Sequence, residues 1–315
     1  MTGYIIRRIG VSIIIVLGVS LFTFAMLHVI YPSPVLDVLG PHSSPPAIAA
    51  WNHENGFDRP WIVQYLSYMN NLLHGNFGQS YKFNQSVYTM FANRWARSAY
   101  LSGISLVIAV LIAIPLGIYQ AVKRNSVGDY TATTLAFVVY SMPPFLLAIV
   151  LLDVFALQLH WFNFEASQSL GVLTVIADWH SMFLPIMTLV LLTVAAFSRY
   201  MRSSSMDVLA QDYIKVARAK GLPERLVLTR HLVRNASLPM LTLIGLFIPA
   251  LLAGNLITEE VFNYKGLGLL FFSALGQGDY NVLLAYTLVG AILTVLGNLA
   301  ADVALTVADP RIRLG

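Results

Sequence analysis

The 315-residue chain contains no cysteine, which excludes disulfide staples and every thiolate-based metal or catalytic site. Charge is scarce as well. Only 11% of the residues are Asp, Glu, Lys or Arg, against roughly 25% in a soluble domain. No GxxxxGK(S/T) loop occurs, so the chain cannot cradle ATP phosphates in that way. HExxH, GxSxG and paired acids in a polar segment are missing too, which leaves no motif for hydrolysis. Ionisable residues are nearly absent from the apolar runs. Asp153 and Asp302 are the exceptions; both lie near run ends, where an interfacial or paired role is expected rather than a proton relay. What the chain has in abundance is apolar surface, at 57% hydrophobic and a mean hydropathy of +0.70. That composition belongs to a membrane protein. The net charge of +4 is too modest to imply nucleic-acid binding.

Six uncharged runs follow one another, at residues 9–30, 98–119, 130–152, 182–198, 237–258 and 281–301. Each is close to the about 20 apolar residues that a transmembrane helix needs. The first follows Arg7-Arg8, is too long for a signal-peptide core and lacks a small-x-small cleavage site before Tyr31-Pro32, so it is read as a retained span. The third carries Ser141-Met142-Pro143-Pro144-Phe145 in its middle, and consecutive prolines there must kink the helix. Arg199 is expected to snorkel and close the short fourth run. Pro249 falls within the fifth, and Asp302 closes the sixth.

Between the first two runs, residues 31–97 form the largest polar stretch. Pro32, Pro34, Pro41, Pro45 and Pro46 oppose regular structure at its start. Trp61–Leu73 reads as an amphipathic or interfacial helix, too short to cross. His42, His53 and His74 are scattered without ligand spacing and read as surface histidines, while His28 reads as a polar tip at the interface.

The most distinctive segment is residues 206–239, basic and helix-prone between long uncharged runs. Propensity favours one helix from Asp207 to Lys220. Gly221 then stops it, and Pro223 suits the first turn of a second helix. The product is a bent helix pair held outside the membrane, shaped as a handle for another protein. With the N-terminus inside, 14 of the 19 Lys and Arg fall on the inner side and 5 outside (Arg59, Lys82, Arg94, Arg97, Lys265). The positive-inside rule therefore favours cytoplasmic termini, although Arg94 and Arg97 run against it.

Ala217-Arg218-Ala219-Lys220-Gly221-Leu222, followed by Arg230-His231-Leu232-Val233-Arg234-Asn235-Ala236 and Leu238-Pro239, resembles the EAA-type loop of bacterial ABC importer permeases. The similarity is to the B-type membrane subunit of the dipeptide/oligopeptide/nickel family, and it extends over nearly the whole chain. Tyr4-Ile5-Ile6-Arg7-Arg8, Gln64-Tyr65-Leu66, Gly75-Asn76-Phe77-Gly78-Gln79-Ser80, Ser141-Met142-Pro143-Pro144-Phe145, Val261-Phe262-Asn263-Tyr264-Lys265-Gly266-Leu267-Gly268 and Asp309-Pro310-Arg311-Ile312-Arg313 also fit the pattern. The chain departs from it at Lys215, where the motif has its glutamate, at Tyr31-Pro32-Ser33-Pro34, and at Glu260 and Lys265.

The resemblance implies an all-α polytopic membrane protein with six transmembrane helices and the type I ABC importer permease fold. Its parts would be an N-terminal tip and first span (1–30), an extracytoplasmic region (31–97) and a five-helix permease core (98–315) that includes coupling helices at 206–235. It also implies a translocation subunit rather than an enzyme, placed in the bacterial inner membrane with no cofactor of its own. The implied partners are a homologous second permease subunit, two cytoplasmic ATPases that bind ATP and Mg, an extracytoplasmic solute-binding protein and membrane lipid, with no nucleic acid. Lys215, Ala217, Arg218, Ala219, Lys220, Gly221, Leu222 and Glu224 would couple to an ATPase, with small residues allowing close backbone approach. Ser141, Met142, Pro143, Pro144, Glu259, Phe262, Gly266 and Gly268 would line the path or its outer gate. No metal site is expected. The implied substrate is a di- or oligopeptide. Nickel or another metal chelate, another small solute, an ATP-independent secondary carrier and a membrane-embedded hydrolase are the alternatives.

Overall fold

The computed structural model describes residues 2–31, 33–169, 171–247 and 254–308. Helices account for almost all regular structure among them, and a lone antiparallel bridge, Gln79 to Ser86, is the nearest approach to a strand. Among the described residues, four helical stretches are long and apolar enough to cross a membrane, Gly10–Ile30, Val87–Val122, Trp179–Leu209 and Tyr280–Ala300. A bent pair, Val127–Ser141 with Pro144–Gln158, passes the same test as a broken fifth. The run expected at 237–258 is helical at both ends, but residues 248–253, Pro249 among them, lie outside the described residues. So do Asp309 to Arg313 and the side chain of Asp302.

The first helix, α1 (Thr2–Ile30), leads into the polar stretch, which is more ordered than its prolines imply. Helix α2 (Val35–Leu39) follows Pro34, and α3 (Pro45–Asn55) carries Pro45 and Pro46 in its first turn. Proline is tolerated there because the first N–H groups of a helix have no internal partner. These prolines start helices rather than oppose them. Helix α4 (Trp61–Leu73) forms as expected. It buries Tyr65, whose hydroxyl lies 2.8 Å from Ser20 Oγ on α1, and exposes Trp61, Ile62 and Leu66.

Two long helices make the centre. After the short α5 (Val87–Ala92), α6 (Trp95–Val122) packs along α10 (Trp179–Leu209). Leu101, Ser105, Ala109, Ala113, Gly117 and Ala121 recur every four residues on α6, and all are buried. Small side chains at this spacing let two backbones approach. At Gly117 a Cβ would sit 2.6 Å from Met201 Cβ and 2.7 Å from Ser198 O, so the contact admits no side chain.

Between them the third span is broken outright, by 105°. Helix α7 (Val127–Ser141) stops at Met142, and α8 (Pro144–Leu152) runs on into a π-helical turn, Asp153–Gln158. Met142 is extended at φ −77°, ψ 133°, and so is Pro143 at φ −56°, ψ 139°. A residue before proline is driven out of the α region by the proline ring, and here that happens twice in succession. Asp153 is exposed and accepts a hydrogen bond from Gln158 Nε2 at 2.7 Å.

Beyond α9 (Val172–Ala177) and α10, α11 (Asp212–Ala219), α12 (Glu224–Leu226), a π-helical turn (Val227–Leu232) and α13 (Val233–Ala236) make the polar elbow. Helices α14 (Leu238–Leu246), α15 (Leu256–Val261), α16 (Leu267–Gln277) and α17 (Tyr280–Ala308) follow among the described residues. Helix α17 packs on α1 and α14.

Candidate functional site

The helix expected from Asp207 to Lys220 is two helices. Helix α10 runs on to Leu209, and Gln211, extended at φ −71°, ψ 147°, separates it from α11. Packing explains the break. Ile214 and Ala217 on α11 and Val227 on the return limb are buried together against Val208, Leu209 and Leu222. A straight continuation of α10 would carry Ile214 and Ala217 away from Val227, so tertiary contact overrides propensity.

The far end of α11 is closed by backbone geometry. Gly221 has φ +76°, its N–H donates to Arg218 O at 3.0 Å, and the Leu222 N–H reaches Ala217 O at 3.3 Å. This is the Schellman arrangement, with Leu222 packing back under the helix it ends. Pro223 then precedes α12 at φ −62°, ψ 140°, one residue ahead of the helical turn expected for it. Arg218 bridges the corner, donating from Nη2 to Glu224 Oε1 at 2.6 Å and from Nε to Oε2 at 3.1 Å. Those hydrogen bonds hold the Glu224 carboxyl below its ordinary range and raise the Arg218 guanidinium. Lys215 donates from Nζ to Asp212 Oδ1 at 2.9 Å.

The elbow is tied back to α10. Ser204 Oγ donates to Ala236 O at 2.9 Å, and Leu232 and Ala236 are buried with Phe197 and Met201. Ala217 therefore points into the elbow's own core, while Ala219, Lys220 and Gly221 face outward. Tyr213 and Val216, not singled out in the sequence, are 43% and 51% exposed on the outer face of α11. They stand one turn apart, so the basic surface carries an apolar ridge. Their signal was available, since apolar residues off the buried stripe of an amphipathic helix have no partner within the chain.

The second expected constellation splits into two places. Ser141, Pro143 and Pro144 are exposed at the broken span, with Met142 half-buried. Glu259, Phe262, Gly266 and Gly268 are buried. The Glu259 carboxylate, with no exposed surface, accepts from Ser98 Oγ at 2.8 Å, Asn255 N at 3.2 Å, Gly268 N at 2.7 Å and Leu269 N at 3.2 Å. It thereby caps α16, whose first N–H groups have no partner of their own. Ser98 Oγ also receives the Leu267 N–H at 2.8 Å. At Gly268 a Cβ would lie 2.9 Å from Leu256 Cα, and Gly266 likewise leaves room for Glu259 and Ser98. Phe262 O accepts the Ala166 N–H at 2.9 Å. Helix α8 packs against α15, so the broken span and this buried knot are in mechanical contact.

Two ionic features were not legible in sequence. Arg97 is 1% exposed, donates from Nη2 to Ser167 O at 2.7 Å and lies 4.8 Å over the Tyr264 ring, whose hydroxyl donates to Arg97 O at 2.8 Å. It is an internal strut, not a loop charge. Asp129, 2% exposed, accepts from Arg202 Nε and Nη2 at 2.9 Å each and from Asn125 N at 3.0 Å, which pins α7 to α10. Arg199 lies 4.3 Å over Phe137 and 4.7 Å over Tyr140.

Residues 113–314 match the family described as binding-protein-dependent transport system inner membrane component, and residues 1–102 match the N-terminal model of the same kind of membrane component. The chain is 36% identical over 314 residues to an oligopeptide transport system permease protein of Bacillus subtilis, covering 99% of each. It is 35% identical over 338 residues to a dipeptide transport system permease protein of Escherichia coli, again covering 99% of each. A glutathione transport system permease protein of Salmonella typhi is 34% identical over 314 residues, at 99% of each chain.

Proposed function

Because the chain belongs to the family of binding-protein-dependent transport system inner membrane components, we propose that it is a permease subunit of an ATP-driven importer of di- or oligopeptides. Relatives that match it from end to end are named for oligopeptide, dipeptide and glutathione transport, which supports a peptide substrate over nickel, another chelate or an ATP-independent carrier. Its partners are a second, similar permease subunit, two cytoplasmic ATPases that bind ATP and Mg, and a solute-binding protein outside.

The observation that carries this reading is the elbow. A lever must be stiff and must present a shape to its driver. The buried cluster of Ile214, Ala217 and Val227 and the link from Ser204 to Ala236 supply the stiffness. Tyr213, Val216, Ala219 and Lys220 supply an exposed face. ATP binding closes the ATPases, draws the elbow inward and, through α10, moves the helices packed on it. The result is a rigid-body switch between inward-open and outward-open states. Ser141 to Pro144 flank the path at the broken span. Glu259, Phe262, Gly266 and Gly268 hold the outer gate in shape from within. Burial of Arg97 removes one of the charges that ran against the positive-inside rule, which supports cytoplasmic termini.

The test is Val216→Asp in the reconstituted importer. Substrate-loaded binding protein should no longer stimulate ATP hydrolysis, while the permease inserts and melts as the wild type does. Undiminished stimulation would remove the elbow from the coupling route.

A further inference from the structure

A groove of about 420 Å³ runs between α7 and α10. Its height in the membrane follows from the sequence. Arg199 comes directly after the uncharged run 182–198, and Asp129 directly before the run 130–152, so the groove sits where hydrocarbon gives way to headgroups. The distribution of Lys and Arg puts that boundary on the cytoplasmic side. Phe137 and Ala196 belong to the apolar wall of the groove, Arg199, Arg202 and Ser203 to its polar wall.

The polar wall has donors to spare and no free acid. Arg202 gives Nε and Nη2 to Asp129, which consumes the carboxylate and leaves Nη1 over. Thr133 Oγ1 is spent on Gln120 and Asp129. Arg199, half-buried, has neither a hydrogen bond nor an ion pair among the described residues. Its guanidinium is held 4.3 Å over the Phe137 ring and 4.7 Å over that of Tyr140. Aromatic faces compensate part of a cation's lost hydration, but they supply no acceptor oxygens for its N–H groups. The hydroxyls of Tyr200 and Ser203, both exposed, have no partner among the described residues either.

A cation at the edge of the bilayer is costly without a counter-charge. The partner that fits is an anion with several acceptor oxygens, which the guanidinium fork matches, joined to an apolar body that can lie in the hydrocarbon. Helix α7 also exposes Leu135 and Val138, an apolar surface on which chains can lie. We propose that the groove binds one anionic phospholipid of the cytoplasmic leaflet, its phosphate received by Arg199, Arg202 Nη1 and the Ser203 hydroxyl. Basic pockets between transmembrane helices on the cytoplasmic side are suited to such headgroups, and the volume falls within the roughly 300–1,000 Å³ of ligand pockets. Arg202 and Asp129 cancel, so the charge of Arg199 is left to favour an anionic headgroup over a zwitterionic one. The site does not depend on which substrate is transported.

The experiment is native mass spectrometry of the assembled importer, titrated with dioleoylphosphatidylglycerol, dioleoylphosphatidylcholine or inorganic phosphate. One phosphatidylglycerol should bind at least fivefold more tightly than phosphatidylcholine, and inorganic phosphate should not saturate the site. Arg199→Gln should reduce that preference below twofold. Ser203→Leu fills the groove from an exposed position and leaves the Arg199 stack in place. It should weaken phosphatidylglycerol at least fivefold while melting as the wild type does, so the test stands even where Arg199→Gln fails to assemble. Equal affinity for the two lipids, an undiminished preference in either variant, or saturable phosphate binding with no preference between lipids would overturn the site. Displacement of the lipid by trialanine would overturn it by giving Arg199 to a substrate carboxylate. A preference shown by the permease chain alone and lost in the assembled importer would overturn it by giving the groove to the second permease subunit.

Discussion

Replacing Glu259 with alanine would strand four donors at once: the Ser98 hydroxyl and the N–H groups of Asn255, Gly268 and Leu269. Each unpaired buried donor costs about 1–3 kcal/mol, so the variant should lose at least ~3 kcal/mol and melt well below the wild type in detergent. A melting temperature within a degree or two of wild type would show that the carboxylate is not the hub of the knot. Asp129 and Arg202 are a second residue-level test. Removing either partner leaves a charge stranded at a half-closed site, and a double-mutant cycle on thermal stability should return a coupling of about 1–3 kcal/mol. A coupling near zero would reduce the pair to coincidence. At this scale the sequence was least informative. The acids and bases were visible, but Asp129 precedes Arg202 by 73 residues, and no local pattern announces such a meeting. Arg97 looked like a misplaced loop charge because its partners, Ser167 O and the Tyr264 ring, are as remote along the chain.

The elbow is where element-scale reasoning was tested. Gly221 was rightly read as the stop, because φ +76° is a conformation that side chains with a Cβ resist. No atom lies within 4 Å of the place a Cβ would occupy, so Gly221→Ala is opposed by backbone strain alone. It should cost roughly 1 kcal/mol, with Asn better tolerated; comparison of the two melting curves checks this. The Arg218–Glu224 bridge predicts a pH effect. The Glu224 carboxyl is lowered by its bonds to Arg218, so its contribution is complete above the unfolded carboxylate's range and disappears as pH falls through the folded value. The pair is about half exposed, which limits the effect to about 0–1 kcal/mol. Glu224→Gln should therefore lower stability by at most about 1 kcal/mol at neutral pH, with the difference from wild type vanishing as pH falls through the folded carboxyl's range; melting curves across acid and neutral pH check this. The break at Gln211 was not legible, because propensity favours continuation and only the demand of Val227 for Ile214 and Ala217 ends the helix.

For the whole molecule, the absence of cysteine makes orientation directly measurable, since any introduced thiol is labelled without background. A cysteine at Val216 should react with an impermeant maleimide only from the cytoplasmic side, and one at Asn70, exposed on α4, only from outside. The opposite pattern would reverse the topology and detach the elbow from any cytoplasmic driver. Of the six expected spans, four and the broken one at 127–158 are matched among the described residues, and they were readable because hydropathy over about 20 residues reports transfer into lipid, and that energy is local. The 105° break exceeds the kink expected from two prolines, because the sequence gives the cause of a bend but packing of α8 on α15 and α10 sets its angle.

Composition, hydropathy, the double proline and the Gly-Leu-Pro corner determined on their own that this is a polytopic helical membrane protein with a shaped polar handle. These properties depend on transfer free energies and backbone sterics, which act over a few neighbouring residues. Tertiary structure alone decided that Glu259 is a buried cap, that Arg97 is a strut, and that Ala217 faces inward and Val216 outward. Each of those outcomes depends on which distant segment supplies a partner, and that is fixed only when the helices pack.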